Sequence, residues 1–374
     1  MDTDGKKLFL LDAYALIYRA YYAMIRSPRV TTDGLNTSAI FGFCMTLEDL
    51  LKKENPDYLA VCFDPAKGKT FRHDVYPEYK AQRQKQPEDI TAAVPYIKKL
   101  LEAYCIPVVE IPGYEADDVI GTLSRRAEAE GYTTYMMTPD KDYGQLVTDS
   151  VLMYRPALGG HGFEIRTPQV ICERYGIQNP MQVIDLLALE GDASDNIPGC
   201  PGIGEKTAAK LIAEYGSVEN LIDRVDELKG ALHKKISENI EQIKFSKYLV
   251  TIKTDVPVDI EISDLRRCTP DIPALRVLFE RLEFKTMLSR YASVEVVPTA
   301  PTPATIARQA SLFDEIEESV AAETQTVEVA FSDVKILESD NDIRNFVAEA
   351  VNSESIGLSL DAFGEDAMTA QFEG

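Results

Sequence analysis

The chain has 374 residues, 45% of them apolar and 27% charged, a composition typical of a soluble globular protein of roughly two or three domains. No run of about 18 apolar residues occurs and residues 1–7 do not resemble a signal peptide, so the sequence predicts no membrane span and a cytoplasmic location. Six scattered cysteines and three histidines argue against a zinc site or a disulfide framework, which leaves oxygen atoms to bind any metal.

The net charge of −22 argues at first against binding to nucleic acid, which needs Lys and Arg to neutralise phosphates. The charge is unevenly distributed, since residues 294–374 contain 3 Lys or Arg and 17 Asp or Glu. Cations bound by acidic residues in the preceding part of the chain would offset much of the remaining negative charge. The net charge therefore does not exclude a nucleic-acid-binding protein.

Four short apolar runs predict buried strands, at residues 8–11, 58–63, 106–110 and 133–137. Helical patterns alternate with them, over about 13–24, 39–53, 90–104 and 115–130. This alternation predicts an α/β fold with a parallel sheet. The pattern then becomes mostly helical with Gly-rich turns over 167–291. Residues 293–312 form a Pro-containing linker, and a strand–helix–strand pattern follows over 334–360.

Acidic residues recur where the predicted strands end: Asp12, Asp64, Glu115, Asp117, Asp118, Asp140 and Asp142. Because parallel strands end on one edge of a sheet, these carboxylates are expected to converge, and Asp192 and Asp195 can join them from the helical region. Any one of them alone could be a helix cap. Together, these nine residues, here called the acidic cluster, predict a site for two or more Mg²⁺ or Mn²⁺ ions that hydrolyses phosphodiesters.

A basic segment over residues 67–85 follows the second predicted strand, with Lys67, Lys69, Arg72, Lys80, Arg83 and Lys85. Pro77 is expected to begin a helix that places Tyr76, Lys80 and Arg83 on one face. The tyrosine could stack on a terminal base, and the two cations could stabilise charge on the scissile phosphate. The alternative is a solvated charged face.

A Gly-rich turn, PGIGEKTAAKL over residues 201–211, predicts a helix–hairpin–helix element. Gly202 and Gly204 allow the tight turn, and Lys206 and Lys210 lie one helical turn apart. Backbone N–H groups at such a helix start can bind phosphates of a duplex without reading its bases. The alternative is an ordinary Gly-capped helical hairpin.

These motifs occur in a fixed order with GYEADD over 113–118, DKD over 140–142 and GDASDNIPG over 191–199. In that order and spacing they resemble the 5′-nuclease domain of bacterial DNA polymerase I, a relative of flap endonucleases, over about residues 6–292. The resemblance implies a PIN/FEN-like nuclease that removes 5′ nucleotides or flaps from DNA or RNA primers by a two-metal mechanism. Two departures, Ala13 in place of a usual Gly and Pro139 before DKD, could shift loop geometry.

The resemblance also implies roles for individual residues. The nine acids of the acidic cluster would hold the metals, with Asp117 and Asp142 essential for cleavage. Lys80 and Arg83 would lie in a helical arch and activate the phosphate, and Lys206 would hold the duplex. Arg19 and Arg72 would hold the 5′ strand. A potassium ion at the helix–hairpin–helix turn is a further expectation.

The predicted organisation is an α/β nuclease core over 6–166 with the arch near 67–90, a helical DNA-binding region over 167–292, an acidic linker over 293–330 and a short α/β tail over 331–374. The tail resembles the start of a 3′–5′ exonuclease-like domain. Its incomplete acid pair, at Asp361 in SLDAF, argues against proofreading. With no polymerase domain, the sequence is expected to be a piece of a longer protein.

A short apolar pattern, QASLF over 309–313, lies in the linker. It resembles the peptide by which bacterial replication proteins dock on the sliding clamp, with Gln309, Leu312 and Phe313 as contacts. A chance match is equally compatible with so short a motif.

Three functions fit the sequence. The first is a monomeric structure-specific nuclease acting on branched or nicked duplex DNA with a 5′ end or flap, and on RNA primers. The second is a DNA-junction binder that has lost catalysis. The third is an RNA-directed nuclease of the PIN type. The intact acidic cluster argues against the second, and the helix–hairpin–helix turn argues against the third.

Overall fold

The computed structural model describes residues 6–66, 69–156 and 162–292, together with two short strands near the C-terminus. Its first unit contains a six-stranded sheet in the order β3-β2-β1-β4-β5-β6. The first five of these strands run parallel, and β6 pairs antiparallel with β5. The strands are β1 (Lys7–Asp12), β2 (Tyr58–Phe63), β3 (Val108–Glu110), β4 (Thr133–Met137), β5 (Val151–Pro156) and β6 (Phe163–Arg166).

The helices of the α/β part alternate with the parallel strands, as the sequence predicts. They are α1 (Ala13–Ala23), α2 (Ser38–Glu54), α3 (Phe71–Val75), α4 (Glu88–Ala103) and α5 (Ala116–Ala129). The four predicted strands and the predicted parallel sheet are confirmed. The third strand begins two residues late, after Pro107, which has no N–H to donate to the ladder. The short strands β5 and β6 were not predicted.

The central strand β1 is buried on both faces because helices cover both sides of the sheet. Leu8 and Leu10 pack in a core with α5, whereas Phe9 and Leu11 point to the opposite face, in a core with α1, α2 and α4. All four side chains are fully buried. This alternation is the two-residue period of a strand, and the continuous apolar run is typical of a parallel sheet.

The region after β6 is mostly helical, which confirms the predicted change at about residue 167. Its helices are α6 (Pro168–Tyr175), α7 (Val183–Glu190), α8 (Glu205–Tyr215), α9 (Val218–Asp223), α10 (Gly230–Ser237), α11 (Ile240–Val250), α12 (Ile272–Arg281) and α13 (Lys285–Ala292). None of the helices in the described ranges combines the length and apolar character that a membrane span requires.

The basic segment differs from its prediction. After α3, residues 76–87 form turns rather than a helix beginning at Pro77. The backbone of Lys80 is left-handed, with φ 58°, and its N–H donates to the carbonyl of Asp195 at 3.0 Å. A left-handed residue interrupts a right-handed helix, so the segment docks on the 191–199 loop instead of forming the predicted helical arch.

Cys105 and Cys268 form a disulfide with Cα atoms 5.6 Å apart, contrary to the expectation of unpaired thiols. The two residues are 163 positions apart, so their spacing gave no signal. The other four cysteines are free.

In the tail, β7 (Asp361–Phe363) pairs antiparallel with β8 (Gln371–Glu373), in a separate unit of the chain. The predicted linker over 293–330, the motif with Gln309, Leu312 and Phe313, and the strand–helix–strand pattern over 334–360 lie outside the described residues.

Candidate active site

The first two acids of the acidic cluster lie at the carboxyl ends of neighbouring strands. Asp12 ends β1 and caps α1, because its Oδ1 accepts a hydrogen bond from the N–H of Ala15 at 3.1 Å. Its Oδ2 accepts from the Tyr143 hydroxyl at 3.2 Å. Asp64 follows β2, and its Oδ1 accepts from the N–H of Ala116 at the start of α5, at 2.7 Å. Each of these two aspartates therefore bonds to the start of a helix and also lies at the sheet edge where the other acids gather.

The start of α5 brings three further acids together. Carboxylate oxygens of Glu115, Asp117 and Asp118 lie within 4.8 Å of one another. Oδ1 of Asp117 accepts a hydrogen bond from the N–H of Asp118 at 2.7 Å. The helix start supplies N–H groups and a favourable dipole for such negative charge.

The last four acids come from two loops. Oδ1 of Asp140 accepts from the N–H of Asp142 at 3.0 Å, at the start of a 3₁₀ turn after β4. Asp192 and Asp195 lie in the 191–199 loop, where Oδ1 of Asp192 accepts from the N–H of Ser194 at 2.7 Å. This loop is closed tightly on itself, because a Cβ at Gly191 would lie 2.5 Å from the carbonyl oxygen of Ile197.

The structure thus brings the predicted acids to one edge, where burial, and after it repulsion between carboxylates, raises the pKa of several of them. Burial, and after it the charge of Asp64, raises the pKa of Asp12 to about 7. Burial and repulsion by neighbouring carboxylates also raise the pKa values of Asp64, Asp117, Asp140 and Asp142. Such a cluster is expected to bind cations or protons at neutral pH.

Two acids have a lowered pKa because cations contact them. Burial acts to raise the pKa of Glu115, but Lys80 and Arg72 outweigh it and the net shift is downward. Burial likewise acts against the ionised form of Asp195, and Lys80 with Arg83 gives a net lowering of its pKa. These two carboxylates are therefore ionised across the neutral range.

Lys80 and Arg83 lie at the acidic cluster, as the sequence predicted, although on a turn. Lys80 Nζ is 2.5 Å from Oε1 of Glu115 and 3.5 Å from Oδ2 of Asp195, and Arg83 pairs with the other oxygen of Asp195. The Arg83 side chain is 52% exposed. These residues line a cleft of about 190 Å³, together with Asp64, Thr70 and His73.

Within the basic segment, the tyrosine that contacts the acidic cluster is Tyr79 rather than Tyr76. The Tyr79 hydroxyl oxygen lies 2.9 Å from Oε2 of Glu115 and 3.0 Å from Oδ2 of Asp195, so its single proton is shared between the two carboxylates. The ring of Tyr76 instead contacts Phe245, with ring centroids 5.4 Å apart. The predicted stacking role of Tyr76 depended on a helix that does not form. In the sequence, the position of Tyr79 next to Lys80 was the one feature that could have indicated its contact with the acidic cluster.

The structure does not support the predicted role of Arg72 in holding a 5′ strand, because this side chain is buried. The residue is 1% exposed. Its guanidinium donates to both oxygens of Asp118, at 2.7 and 2.9 Å, and to Oε2 of Glu115 at 3.1 Å. The remaining N–H groups reach the carbonyls of Leu249 and Thr251. Arg19, by contrast, is exposed on α1 and makes no ion pair with a described residue.

The predicted helix–hairpin–helix turn precedes α8, with Gly204 as its N-cap. Gly202 has φ +77°, a left-handed conformation that favours glycine. Lys206 and Lys210 are exposed on α8 and pair with no acid in the described ranges. Lys235 from α10, which lies in no recognised motif, donates from Nζ to the carbonyl of Gly202 at 2.9 Å.

The donor set of the acidic cluster fits a hard divalent cation. All nine side chains offer carboxylate oxygens, which Mg²⁺ and Mn²⁺ prefer. Oδ1 of Asp142 is buried and accepts no hydrogen bond from any described residue. A buried anionic oxygen without a donor is costly, so a cation at this position would remove the cost.

Fold and site together define an α/β domain with a carboxylate cluster suited to divalent metal at one sheet edge, followed by a helical C-terminal region. The family description "5′-3′ exonuclease, N-terminal resolvase-like domain" matches residues 7–176, and "5′-3′ exonuclease, C-terminal SAM fold" matches residues 178–273. The chain therefore belongs to the 5′–3′ exonuclease family, which confirms the resemblance seen in the sequence.

Curated relatives include DNA polymerase I of Bacillus subtilis, 42% identical over 293 residues, which are 77% of this chain and 32% of the relative. The thermostable DNA polymerase I of Thermus filiformis is 36% identical over an alignment that covers 99% of this chain and 45% of the relative. This chain thus spans 32% to 45% of the length of these relatives.

Solved structures share the fold at low identity. A bacteriophage T5 flap endonuclease complex with DNA and metal ions has a TM-score of 0.56 and 22% identity, and covers 76% of this chain and 99% of that one. A T5 5′-exonuclease with bound zinc has a TM-score of 0.55 and 22% identity over 75% of this chain and 98% of that one. The catalytic core of Rad2 with DNA substrate has a TM-score of 0.51 and 18% identity over 76% and 91%.

Proposed function

We propose that the chain is a structure-specific 5′–3′ exonuclease and flap endonuclease, acting on branched or nicked duplex DNA at a 5′ end or flap. The observation that carries the proposal is the acidic cluster, gathered at one sheet edge beside Lys80 and Arg83. The helix–hairpin–helix turn supports a duplex substrate, because it offers backbone N–H groups and exposed lysines for phosphates.

We propose that Mg²⁺ or Mn²⁺ ions are held by eight of the nine acids. When bound, they supply Lewis acidity, which lowers the pKa of a water and stabilises the leaving oxygen. Asp118 is the exception, because each of its oxygens already accepts two hydrogen bonds. Oδ2 accepts from Arg72 and from the N–H of Glu115, and Oδ1 accepts from Arg72 and from the N–H of Lys253. Asp118 lies close enough to Glu115 and Asp117 to share a metal ion with them. The lone pairs of its carboxylate oxygens, however, already accept hydrogen bonds.

Lys80 and Arg83 are proposed to bind the scissile phosphate. Both cations now pair with Glu115 or Asp195 at the mouth of the cleft. The oxygens of a phosphate that enters the cleft are negatively charged, like the carboxylates that the two cations contact. Arg83 is exposed enough to reach such a phosphate. Positive charge at this position stabilises the negative charge that develops during hydrolysis.

The test is cleavage of an end-labelled 5′-flap duplex in Mg²⁺, with EDTA and a single-stranded RNA as comparisons. Asp142→Asn and Asp117→Ala are expected to lose cleavage and to keep DNA affinity. The matched control is Asp226→Asn, whose side chain is 99% exposed in the helical region. If the flap stays intact at every metal concentration, the chain is a non-catalytic junction binder. Faster cleavage of the RNA would favour the RNA-directed nuclease.

We also propose a cellular context for the nuclease. The chain would act within a DNA polymerase I, in replication and repair, on RNA primers as well as DNA, as a cytoplasmic monomer.

The 309–313 motif would bind the sliding clamp. Titration of a 305–317 peptide with the clamp, followed by fluorescence anisotropy, tests this. Binding that is unchanged by Leu312→Ala combined with Phe313→Ala would contradict it.

A further inference from the structure

Two buried hydroxyl groups donate to the same oxygen of Asp12. Its Oδ2 accepts from the Thr138 hydroxyl at 3.2 Å and from the Tyr143 hydroxyl at 3.2 Å. Both donor side chains are buried, so their hydroxyls depend on protein partners. The register of the sheet explains the first contact, because Leu11 of β1 lies opposite Met137 of β4. The residues that follow these two, Asp12 and Thr138, therefore lie side by side as well.

The same two hydroxyls connect Asp12 to the loop that carries Asp140 and Asp142. While the Thr138 hydroxyl donates to Asp12, its oxygen accepts from the N–H of Asp140 at 3.2 Å. Tyr143 directly follows Asp142 in the 3₁₀ turn after β4. Thr138 and Tyr143, here called the hydroxyl clamp, thus join the acid at the end of β1 to the two acids that follow β4.

The hydroxyl clamp leaves one acceptor position of the Asp12 carboxylate free. Each carboxylate oxygen has about two such positions. The clamp occupies both positions of Oδ2, and one position of Oδ1 accepts from the N–H of Ala15 at 3.1 Å. Three donors fix the rotation of the carboxylate, so the remaining position on Oδ1 has a defined direction. Asp12 can therefore bind a cation through Oδ1, and the clamp determines where that oxygen lies.

We propose that Thr138 and Tyr143 are positioning residues for metal binding: they hold Oδ1 of Asp12 at a fixed place relative to Asp140 and Asp142. The proposal rests on the proposed metal-dependent nuclease function and names the residues that set the spacing of its metal-binding acids. Removing a hydrogen-bond partner of a metal-binding carboxylate typically costs about 10-fold to 100-fold in metal affinity. The effect of the clamp is therefore expected in the protein without DNA as well.

The experiment measures Mn²⁺ binding to the DNA-free protein, from the loss of the free-ion signal in electron paramagnetic resonance. Thr138→Val combined with Tyr143→Phe removes both hydroxyls and keeps the shapes of the side chains. This double variant is expected to bind Mn²⁺ about 10-fold to 100-fold more weakly than the wild type. Thr138→Ser, which keeps the hydroxyl, should bind as the wild type does.

Two matched controls remove buried hydroxyls elsewhere. Thr134→Val, also on β4, removes a buried hydroxyl that has no hydrogen-bond partner among the described residues. Tyr154→Phe, on β5, removes a hydroxyl that donates to Oε1 of Glu54 at 2.9 Å. Both should bind Mn²⁺ as the wild type does. Thermal unfolding first shows whether each variant is folded, and Thr138→Val or Tyr143→Phe alone replaces the double variant if that variant is not.

A mutant cycle with Asp12→Asn separates positioning from a general loss of structure. If the clamp acts through Asp12, removing it from the Asp12→Asn protein should cause no further loss of Mn²⁺ affinity. An equal loss in both backgrounds would overturn the proposal, and so would equal affinities of the double variant and the two controls. A wild type that binds no Mn²⁺ would overturn it as well. The expected Mn²⁺ results from a wild type that cleaves no flap would support the clamp and refute the nuclease function alone.

Discussion

Arg72 and Asp118 meet through two parallel hydrogen bonds, from Nη1 to Oδ2 at 2.7 Å and from Nη2 to Oδ1 at 2.9 Å. Arg72 is 1% exposed and Asp118 is 0% exposed. The pair ties α3 to α5, and the other N–H groups of Arg72 bind carbonyls at the end of α11, those of Leu249 and Thr251. It therefore links the nuclease core to the helical region, under the carboxylate of Glu115.

Arg72→Met is expected to destabilise the fold by about 3–5 kcal/mol, because it leaves a buried carboxylate without its partner. Urea unfolding measures the change. Arg224→Met is the control, since Arg224 pairs with Glu227 on an exposed surface and should give no measurable loss. Combining Arg72→Met with Asp118→Leu should recover part of the stability. If Arg72→Met loses no more stability than Arg224→Met, the buried pair does not hold these elements together.

Tyr79→Phe is expected to raise the metal concentration needed for cleavage by about 10-fold to 100-fold. The hydroxyl bridges Glu115 and Asp195 with its single proton, and removing such a support of metal-binding carboxylates typically costs this much. Cleavage rates against Mg²⁺ concentration measure it. Tyr76→Phe, on the same segment, should leave the curve unchanged. Equal curves for the two variants would show that Tyr79 does not position the acids.

The sequence predicted the acidic cluster well and the surrounding cations only in part. Alternating strands and helices placed Asp12 and Asp64 at strand ends, and a parallel sheet has only one such edge. The burial of Arg72 was not predictable, because its partners include carbonyls about 180 positions away. The choice between Tyr76 and Tyr79 depended on the left-handed backbone of Lys80, which a contact with the 191–199 loop stabilises.

The Cys105–Cys268 disulfide predicts four free thiols in the unfolded, oxidised protein and six after reduction. Thiol titration in denaturant counts them. Because the bond closes a long loop, Cys105→Ser should lower stability by about 2–4 kcal/mol under oxidising conditions. It should have little effect under reducing conditions. Six thiols in the oxidised protein would show that the two cysteines stay unpaired in solution.

The raised pKa of Asp12 predicts how the metal-free protein responds to pH. A group whose pKa is higher in the folded state binds more protons there than in the unfolded state. The contribution of Asp12 to the free energy of unfolding is therefore full below pH 3.8, its ordinary pKa, and is lost as the pH rises through about 7. Asp64 and Asp142 are raised as well and act in the same direction. In EDTA, the free energy of unfolding should therefore fall between pH 5 and pH 8, on the order of a few kcal/mol.

Mg²⁺ should remove this fall, because it binds the ionised carboxylates that otherwise repel one another. Asp12→Asn should make the EDTA curve less steep, since an amide does not titrate and Asp64 and Asp142 still do. The acids with lowered pKa, Glu115 and Asp195, lose their contributions only at lower pH and do not affect this window. Urea unfolding at several pH values, with and without Mg²⁺, makes the measurement. A stability in EDTA that rises from pH 5 to pH 8 would mean that the acidic cluster is not repulsive in the folded protein.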